Sequence, residues 1–493
     1  MQLLKIKSDL IIYCAGFILV AVYILLFKPV SDTGDAPTYL LYANSIIEGE
    51  DSESLINRSP FYPWILALLI LIFGNVCAIK LAVIIQFLLF YCSGIIVYKI
   101  LMNNIYNKIA PAICTTFIIL LSLSGIFYCY MLITEAMTLF FLTTAIWFII
   151  KGYKRLSGID FFISGVLVSI MVLTRFNTLP MILVFTLIII LIQLNESGER
   201  PFIKIRNVII FLIPIILILD GFAFFNYSKY DFYGLFPSGG SVLVSRNALI
   251  KTIDGTEKIS TENLHILKIF KEAGGKIKVD YPEKKGSLIR FDKMQIIDNL
   301  YGGFSIYSEA KPELCNYFAI NPEKPEPELS AALAPFYKEI RIINRRKVWK
   351  LRLFSLLNSF RSSSGIVLFE KPDINLGLLP GWFIKLYKIV FFVLTVFVFI
   401  SSILYLILLI FKYIRPNMII VMFIFTVFGF FFINFAFATA GDANRYKYPA
   451  DPLIIALGVY YVYSACLYLK SKIGLKYKFQ VSGFRFSVSG YRM

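Results

Sequence analysis

Apolar stretches recur along this chain, most of about 16 residues or more, and short polar or basic links close them. At about 1.5 Å of rise per residue, a helix of roughly 20 residues crosses a hydrocarbon core of about 30 Å. Such stretches cover residues 10–27, 76–100, 109–128, 135–150, 161–174, 179–194, 208–225, 382–411, 418–437 and 453–469. The pattern predicts about ten transmembrane helices. One further apolar piece, 61–73, is too short to span and runs through Gly74 and Asn75 into the next. At that length an interfacial or re-entrant helix is expected.

Charge placement supports that reading. If 61–73 does not cross, five basic clusters fall on one side. They are Lys99 with Lys108, Lys151 with Lys154 and Arg155, Arg200 with Lys204 and Arg206, Lys412 with Arg415, and the tail from Lys470. Counting 61–73 as a span would move the earlier clusters to the opposite side, against the positive-inside rule. The expected organisation has four parts. Residues 1–226 form an N-terminal membrane core, with a non-cytoplasmic loop at 29–60 and the interfacial helix at 61–74. Residues 227–381 form a smaller non-cytoplasmic domain, 382–470 the C-terminal membrane helices, and 471–493 a basic cytoplasmic tail. Both termini are cytoplasmic on this reading, and residues 10–27 stay as a helix, because no small-x-small cleavage site follows them.

The region 227–381 is hydrophilic and long enough for its own core, expected as α/β or irregular. Its NPEKPEPE run, 321–328, reads as an exposed linker. Residues 338–361 mix apolar positions with many Arg and Lys. They predict an amphipathic helix, lying on the membrane face or packing on its own domain.

Composition narrows the class. The 493 residues are 58% hydrophobic and only 16% charged, against about a quarter charged in soluble domains. The net charge of +18 would suggest nucleic acid in a soluble protein. Here the basic residues border membrane segments, where they set topology and meet anionic lipid, so no nucleic-acid partner is expected. Of seven cysteines only Cys315 lies in the large hydrophilic region, which leaves no disulfide framework there. A single histidine excludes a His-rich metal site, and no Gly-rich phosphate loop follows a strand. Neither metal nor cofactor is expected.

Three polar groups converge on the non-cytoplasmic side. The opening loop carries Asp32, Asp35 and Arg58; helix ends carry Glu135 and Arg175; the last loop, ATAGDANRYKYPADP, carries Asp442, Arg445, Tyr446 and Tyr448. Ionisable groups at a membrane are costly and are functional candidates by default. Carboxylates beside arginines suit transfer of a group away from a phosphate. A carboxylate serves as general base on an acceptor hydroxyl, and arginine neutralises the departing phosphate. Asp220, within 208–225, stays outside the candidate set as an acid near the interface.

GDAPTYLLYANSIIEG resembles the first non-cytoplasmic loop of the GT-C glycosyltransferases, in the branch of protein O-mannosyltransferases and bacterial aminoarabinose transferases. In that branch an Asp is followed by Tyr and then a small residue on a short helix, and Asp35, Tyr39 and Ala43 fall in that register. RSPFYPWILALLILIFG resembles the family's basic, proline and aromatic stretch, which is an interfacial helix. Glu135 in LITEAMTLFFL matches the acid opening the fourth span. LTRFNTL around Arg175 is similar to a Leu-Thr-Arg-Pro segment, with Phe176 in place of Pro. GDANRYKYPADP resembles the loop with Arg-Tyr and Pro before the last spans.

The resemblance covers roughly residues 10–195 and 383–470. It implies an inverting transfer from a sugar on undecaprenyl or dolichyl phosphate to a cell-surface glycan, lipid or protein. Asp35 is the implied base or acceptor-orienting carboxylate, with Asp32 as its rival. Arg58, Arg175 and Arg445 are the implied phosphate contacts. Tyr39, Glu135 and Tyr446 complete the donor and acceptor site. The richness in Ile, Lys, Asn and Phe is similar to that of AT-rich bacterial genomes, which points to a bacterial inner membrane. Two other classes stay open: an O-antigen polymerase or ligase relying on loop arginines, and a lipid or polysaccharide transporter with charges nearer the bilayer midplane.

Overall fold

In a bilayer every backbone N–H and C=O needs a partner within the protein, which restricts spanning segments to helices in a chain of this pattern. The computed structural model describes residues 2–26, 29, 31, 35–49, 58–106, 109–155, 157–194, 201–236, 259–276, 301–321, 326–343, 345–360, 381–437 and 447–472. Among these, all regular structure is helical, with no β-strand.

The first half comprises α1 (Gln2–Leu26), α2 (Ala36–Glu48), α3 (Phe61–Asn104), α4 (Ile109–Leu120), α5 (Leu123–Tyr130), α6 (Glu135–Arg155), α7 (Gly158–Thr174), α8 (Met181–Leu194) and α9 (Pro201–Tyr230). Next come α10 (Thr261–Lys276), α11 (Tyr301–Phe318), α12 (Glu326–Ile343) and α13 (Arg345–Asn358). The chain returns to apolar helices with α14 (Gly381–Ile410), α15 (Met418–Phe437) and α16 (Asp451–Lys472). Eight of the described helices are long and apolar enough to cross a membrane, and the α4–α5 pair, bent by 45°, makes nine as one broken span. The shorter apolar α7 is the tenth segment expected from the sequence. The chain is a multi-pass helical membrane protein.

Gly74 divides α3. Its φ of 72° and ψ of 163° interrupt the helix where the sequence predicts the non-crossing piece to end, a conformation that favours glycine. Before the break, Tyr62, Leu66, Ala67 and Ile70 are buried while Leu68, Leu71 and Ile72 are exposed, so this piece packs on the bundle by one side. Helices α6, α7 and α9 form the tightest layer of the bundle. At Gly165 of α7 an added Cβ would stand 2.2 Å from the carbonyl oxygen of Phe211 in α9, so only glycine permits this approach.

The regular structure in the described part of 227–381 is all helical. Helices α10, α11 and α12 share a core separate from the membrane core, with Phe270 stacked on Phe336 at 5.6 Å and Leu314 and Leu333 buried beside them. The carboxylate of Glu339 on α12 accepts from Asn263 and from the N–H and hydroxyl of Ser260, fastening the start of α10. Those bonds hold the Glu339 carboxyl below its ordinary range. The amphipathic stretch 338–361 resolves into two helices with different partners. Tyr337 and Ile340 of α12 join the α10–α12 core. On α13, Trp349 packs on Phe435 at 5.5 Å and Ser355 donates to the Asn434 carbonyl at 2.8 Å, both on α15. Of the expected linker, residues 322–325 lie outside the described residues, and Glu326 already begins α12.

Candidate active site

Helix α2 has clear local causes. Pro37 lies in its first turn, pre-set for helical φ, and Gly49 ends it in the left-handed region at φ 69°. Tyr39, Tyr42 and Ala43 turn inward. Asp35 occupies the N-cap position, yet its side chain makes no capping hydrogen bond. The carboxylate meets Arg58 instead, at 3.1 Å from Oδ1 to Nη2. The Arg58 guanidinium also lies over the Tyr39 ring, 5.8 Å from its centroid. Asp35, Tyr39 and Arg58 therefore form one unit, with Arg58 34% and Asp35 23% exposed at the side chain.

Tyr39 packs edge-on against Tyr62 of α3, with centroids 5.1 Å apart. The Tyr62 hydroxyl donates to Gln86 Oε1 at 2.8 Å, and Gln86 Nε2 donates to the carbonyls of Cys129 and Met131, both at 2.7 Å. Buried Gln86 thus ties α2 and the start of α3 to the last turn of α5 and to the non-helical segment just before α6. That segment delivers Glu135, in the first turn of α6, to Arg175 at the end of α7. Their ion pair measures 2.8 Å, with side chains 0% and 9% exposed. The backbone N–H of Phe176 donates to Ser59 Oγ at 3.0 Å, so the Arg58 and Arg175 segments touch through the residues that follow each arginine.

The structure therefore brings together two sequence-predicted groups, Asp35–Tyr39–Arg58 and Glu135–Arg175. Asp32, Asp442, Arg445 and Tyr446 lie outside the described residues. Directly after Tyr446, Lys447 pairs with Asp451 at 3.1 Å, both almost wholly buried, with the ammonium 4.5 Å from the Phe391 centroid. Tyr448 between them packs on Tyr128 at 4.5 Å. Asp220 is exposed and accepts a hydrogen bond from Tyr233, which suits an interfacial acid.

Sequence reasoning missed Tyr62, Gln86 and the Lys447–Asp451 pair. The readable signals were a lone amide inside an apolar span and opposite charges four residues apart. It also missed Lys229. A pocket of about 140 Å³ opens beside Arg58, where α2, the start of α3 and the end of α9 meet; Lys229, Trp64, Pro63, Tyr42 and Phe222 line it with Arg58.

Residues 57–219 match the family model described as dolichyl-phosphate-mannose-protein mannosyltransferase. This segment is a GT-C glycosyltransferase domain. It begins one residue before Arg58 and includes Gln86, Glu135 and Arg175, while Asp35 and α2 precede it. Comparison with curated proteins finds no match. In chemical terms the GT-C segment and α2 together present a partly exposed carboxylate able to take a proton, and a partly exposed guanidinium able to meet an oxyanion.

Proposed function

We propose that the protein transfers a sugar from a polyprenyl-phosphate donor to a glycan, lipid or protein acceptor on the non-cytoplasmic face of the membrane. The Asp35–Arg58 unit, adjoining a segment of mannosyltransferase-like sequence, carries the reading. The acceptor hydroxyl attacks the anomeric carbon opposite the phosphate. A bond forms from C1 to the acceptor oxygen, the bond from C1 to the phosphate oxygen breaks, and the anomeric configuration inverts. Asp35 receives the hydroxyl proton, and the polyprenyl phosphate leaves with its charge neutralised by Arg58. Tyr39 holds Arg58 through its ring face.

The full-length protein in membranes, supplied with a radiolabelled polyprenyl-phosphate sugar, tests this. Replacing Asp35 by Asn should cut transfer by about 10²–10⁴-fold, the range for loss of a general base. Undiminished transfer by that variant would remove Asp35 as the base. Movement of the labelled lipid across vesicles with no glycosidic product would point to a transporter.

A further inference from the structure

Helix α13 carries its charge at the unfavourable end. Its sequence, RRKVWKLRLFSLLN, holds Arg345, Arg346, Lys347, Lys350 and Arg352 and no acid. Three of these cations stand in the first turn, where the helix macrodipole is positive and disfavours them. Among the described residues, no carboxylate pairs with Arg345, Arg346 or Arg352. The Arg352 guanidinium lies over Trp349, 5.8 Å from the ring centroid, and its Nε is shut away from solvent with no hydrogen-bond partner. The described chain thus gives these arginines no counter-ion.

Packing fixes the level at which this charge sits. Besides the Trp349–Phe435 and Ser355–Asn434 contacts, the Asn434 amide donates to Ser359 Oγ at 2.9 Å. Asn434 and Phe435 lie at the end of the apolar stretch Met418–Ala436 of α15, so α13 crosses α15 where a span leaves the hydrocarbon. Just beyond α13, Phe360 reaches deeper, to Phe431 of α15 at 5.0 Å and Phe399 of α14 at 5.1 Å. The outward side changes character along the axis. Arg345 and Arg346 are exposed, and Trp349, Leu353 and Leu357 follow, each about half exposed. These three lie four residues apart and form one stripe about 12 Å long. Cations, then an indole, then aliphatic side chains match the order of headgroup, interface and acyl chain in a lipid leaflet.

We propose that α13 seats an anionic phospholipid of the surrounding bilayer. Arg345 and Arg352 hold its phosphate beside Trp349, and an acyl chain lies along Leu353 and Leu357. Arg345, Trp349 and Arg352 share a helix face at i, i+4 and i+7. Helical side chains tilt toward the N-terminus, which carries Arg352 back over Trp349 and toward Arg345. A phosphodiester supplies the acceptor that Arg352 Nε lacks, and guanidinium meets phosphate through two parallel hydrogen bonds. A water-soluble anion would answer the charge but leave the Trp349–Leu353–Leu357 stripe in water. A single residue separates α12 from α13, so the lipid also tethers the α10–α12 core to the bilayer. The inference stands on the packing of α13 and is independent of the transfer reaction.

The test places the full-length protein in phosphatidylcholine nanodiscs doped with lipid brominated on its acyl chains, either phosphatidylglycerol or phosphatidylcholine. Bromine quenches an indole that it touches, and the Trp349 signal is the difference between the parent and Trp349→Phe. Two arginines should enrich the anionic lipid locally by about five- to twentyfold. With roughly three lipids in ten brominated, phosphatidylglycerol should then quench Trp349 about two to three times as strongly as phosphatidylcholine. Arg345→Gln with Arg352→Gln should make the two lipids equal, while Arg345→Lys with Arg352→Lys should keep most of the excess. Equal quenching in the parent overturns the anionic seat, and no quenching by either lipid places the stripe in water and overturns the membrane contact. An excess that survives the Gln pair overturns the assignment to these arginines. Loss of the excess in the Lys pair as well ties it to the fold of α13 rather than to its charge, and overturns the seat too.

Discussion

Removing one member of the Glu135–Arg175 pair gives the sharpest test of the site's architecture. Arg175→Met keeps most of the side-chain volume but deletes the guanidinium 2.8 Å from a carboxylate with no exposed surface. Breaking a buried ion pair from one side costs about 3–5 kcal/mol, because the remaining charge stays desolvated. Removing both charges, as in Glu135→Gln with Arg175→Met, is often close to neutral. The double variant should therefore recover at least about 2 kcal/mol relative to Arg175→Met, a coupling well beyond the roughly 0.5 kcal/mol scatter of independent sites. Unfolding in mixed micelles titrated with sodium dodecyl sulfate, followed by tryptophan fluorescence, measures the cycle. If Arg175→Met and the double variant both fall within about 1 kcal/mol of the parent, the pair is solvated and the burial reasoning fails.

Three further outcomes are expected. Gln86→Leu strips the acceptor from the Tyr62 hydroxyl and a donor from the Cys129 carbonyl, and at about 1–3 kcal/mol for each orphaned buried group it should cost roughly 2–6 kcal/mol in the same assay. Gly165→Ala forces its new methyl group to within 2.2 Å of the Phe211 carbonyl, so α7 and α9 must separate at a cost of about 1–3 kcal/mol, visible as earlier unfolding. The depressed Glu339 carboxyl stabilises the docking of α10 on α12 fully above the ordinary glutamate value of 4.5, and that stability disappears as pH falls through the lower folded value. The protection of the α10 amides, taken relative to their intrinsic exchange rates at each pH, should therefore be flat from neutral pH down to that range and then fall. Glu339→Gln should remove the acid limb.

Much of the membrane architecture is legible in the sequence because its signals are long and redundant. A run of about 20 apolar residues has few alternatives in a bilayer. The Gly74 break is legible as well, since a short apolar run before glycine predicts an interruption. The site is legible in part, where a motif carries both partners, as with Asp35 and Arg58 inside one loop. Gln86 escapes notice because a lone amide in a span shows no partner in sequence; its three bonds reach residues 24, 43 and 45 positions away. Lys229 escapes for the opposite reason, since lysine at a helix end already has an ordinary explanation. The amphipathic stretch 338–361 has a single helical period but two docking surfaces, and only packing decides which turns face which.

Magnitudes decide between the arginines that the sequence offers as phosphate ligands. Arg175 is 9% exposed and bound to a carboxylate with no solvent contact. Diverting its guanidinium to a phosphate would strand Glu135 at about 3–5 kcal/mol, a large part of what a single charged contact returns. Arg58 faces a partner that is 23% exposed and is itself 34% exposed, a setting in which ion pairs contribute about 0–1 kcal/mol. Exchanging that partner for phosphate therefore costs little. Arg175 acts best as a fixed element, holding the start of α6 against the end of α7 and, through Phe176 and Ser59, setting where Arg58 begins. The Glu135–Arg175 pair is buried, whereas the Asp35–Arg58 pair is partly exposed. Variants at the two arginines should accordingly separate: Arg58→Lys should raise the donor KM with little change in stability, while Arg175→Lys, which keeps the charge but loses the planar fork, should lower stability first.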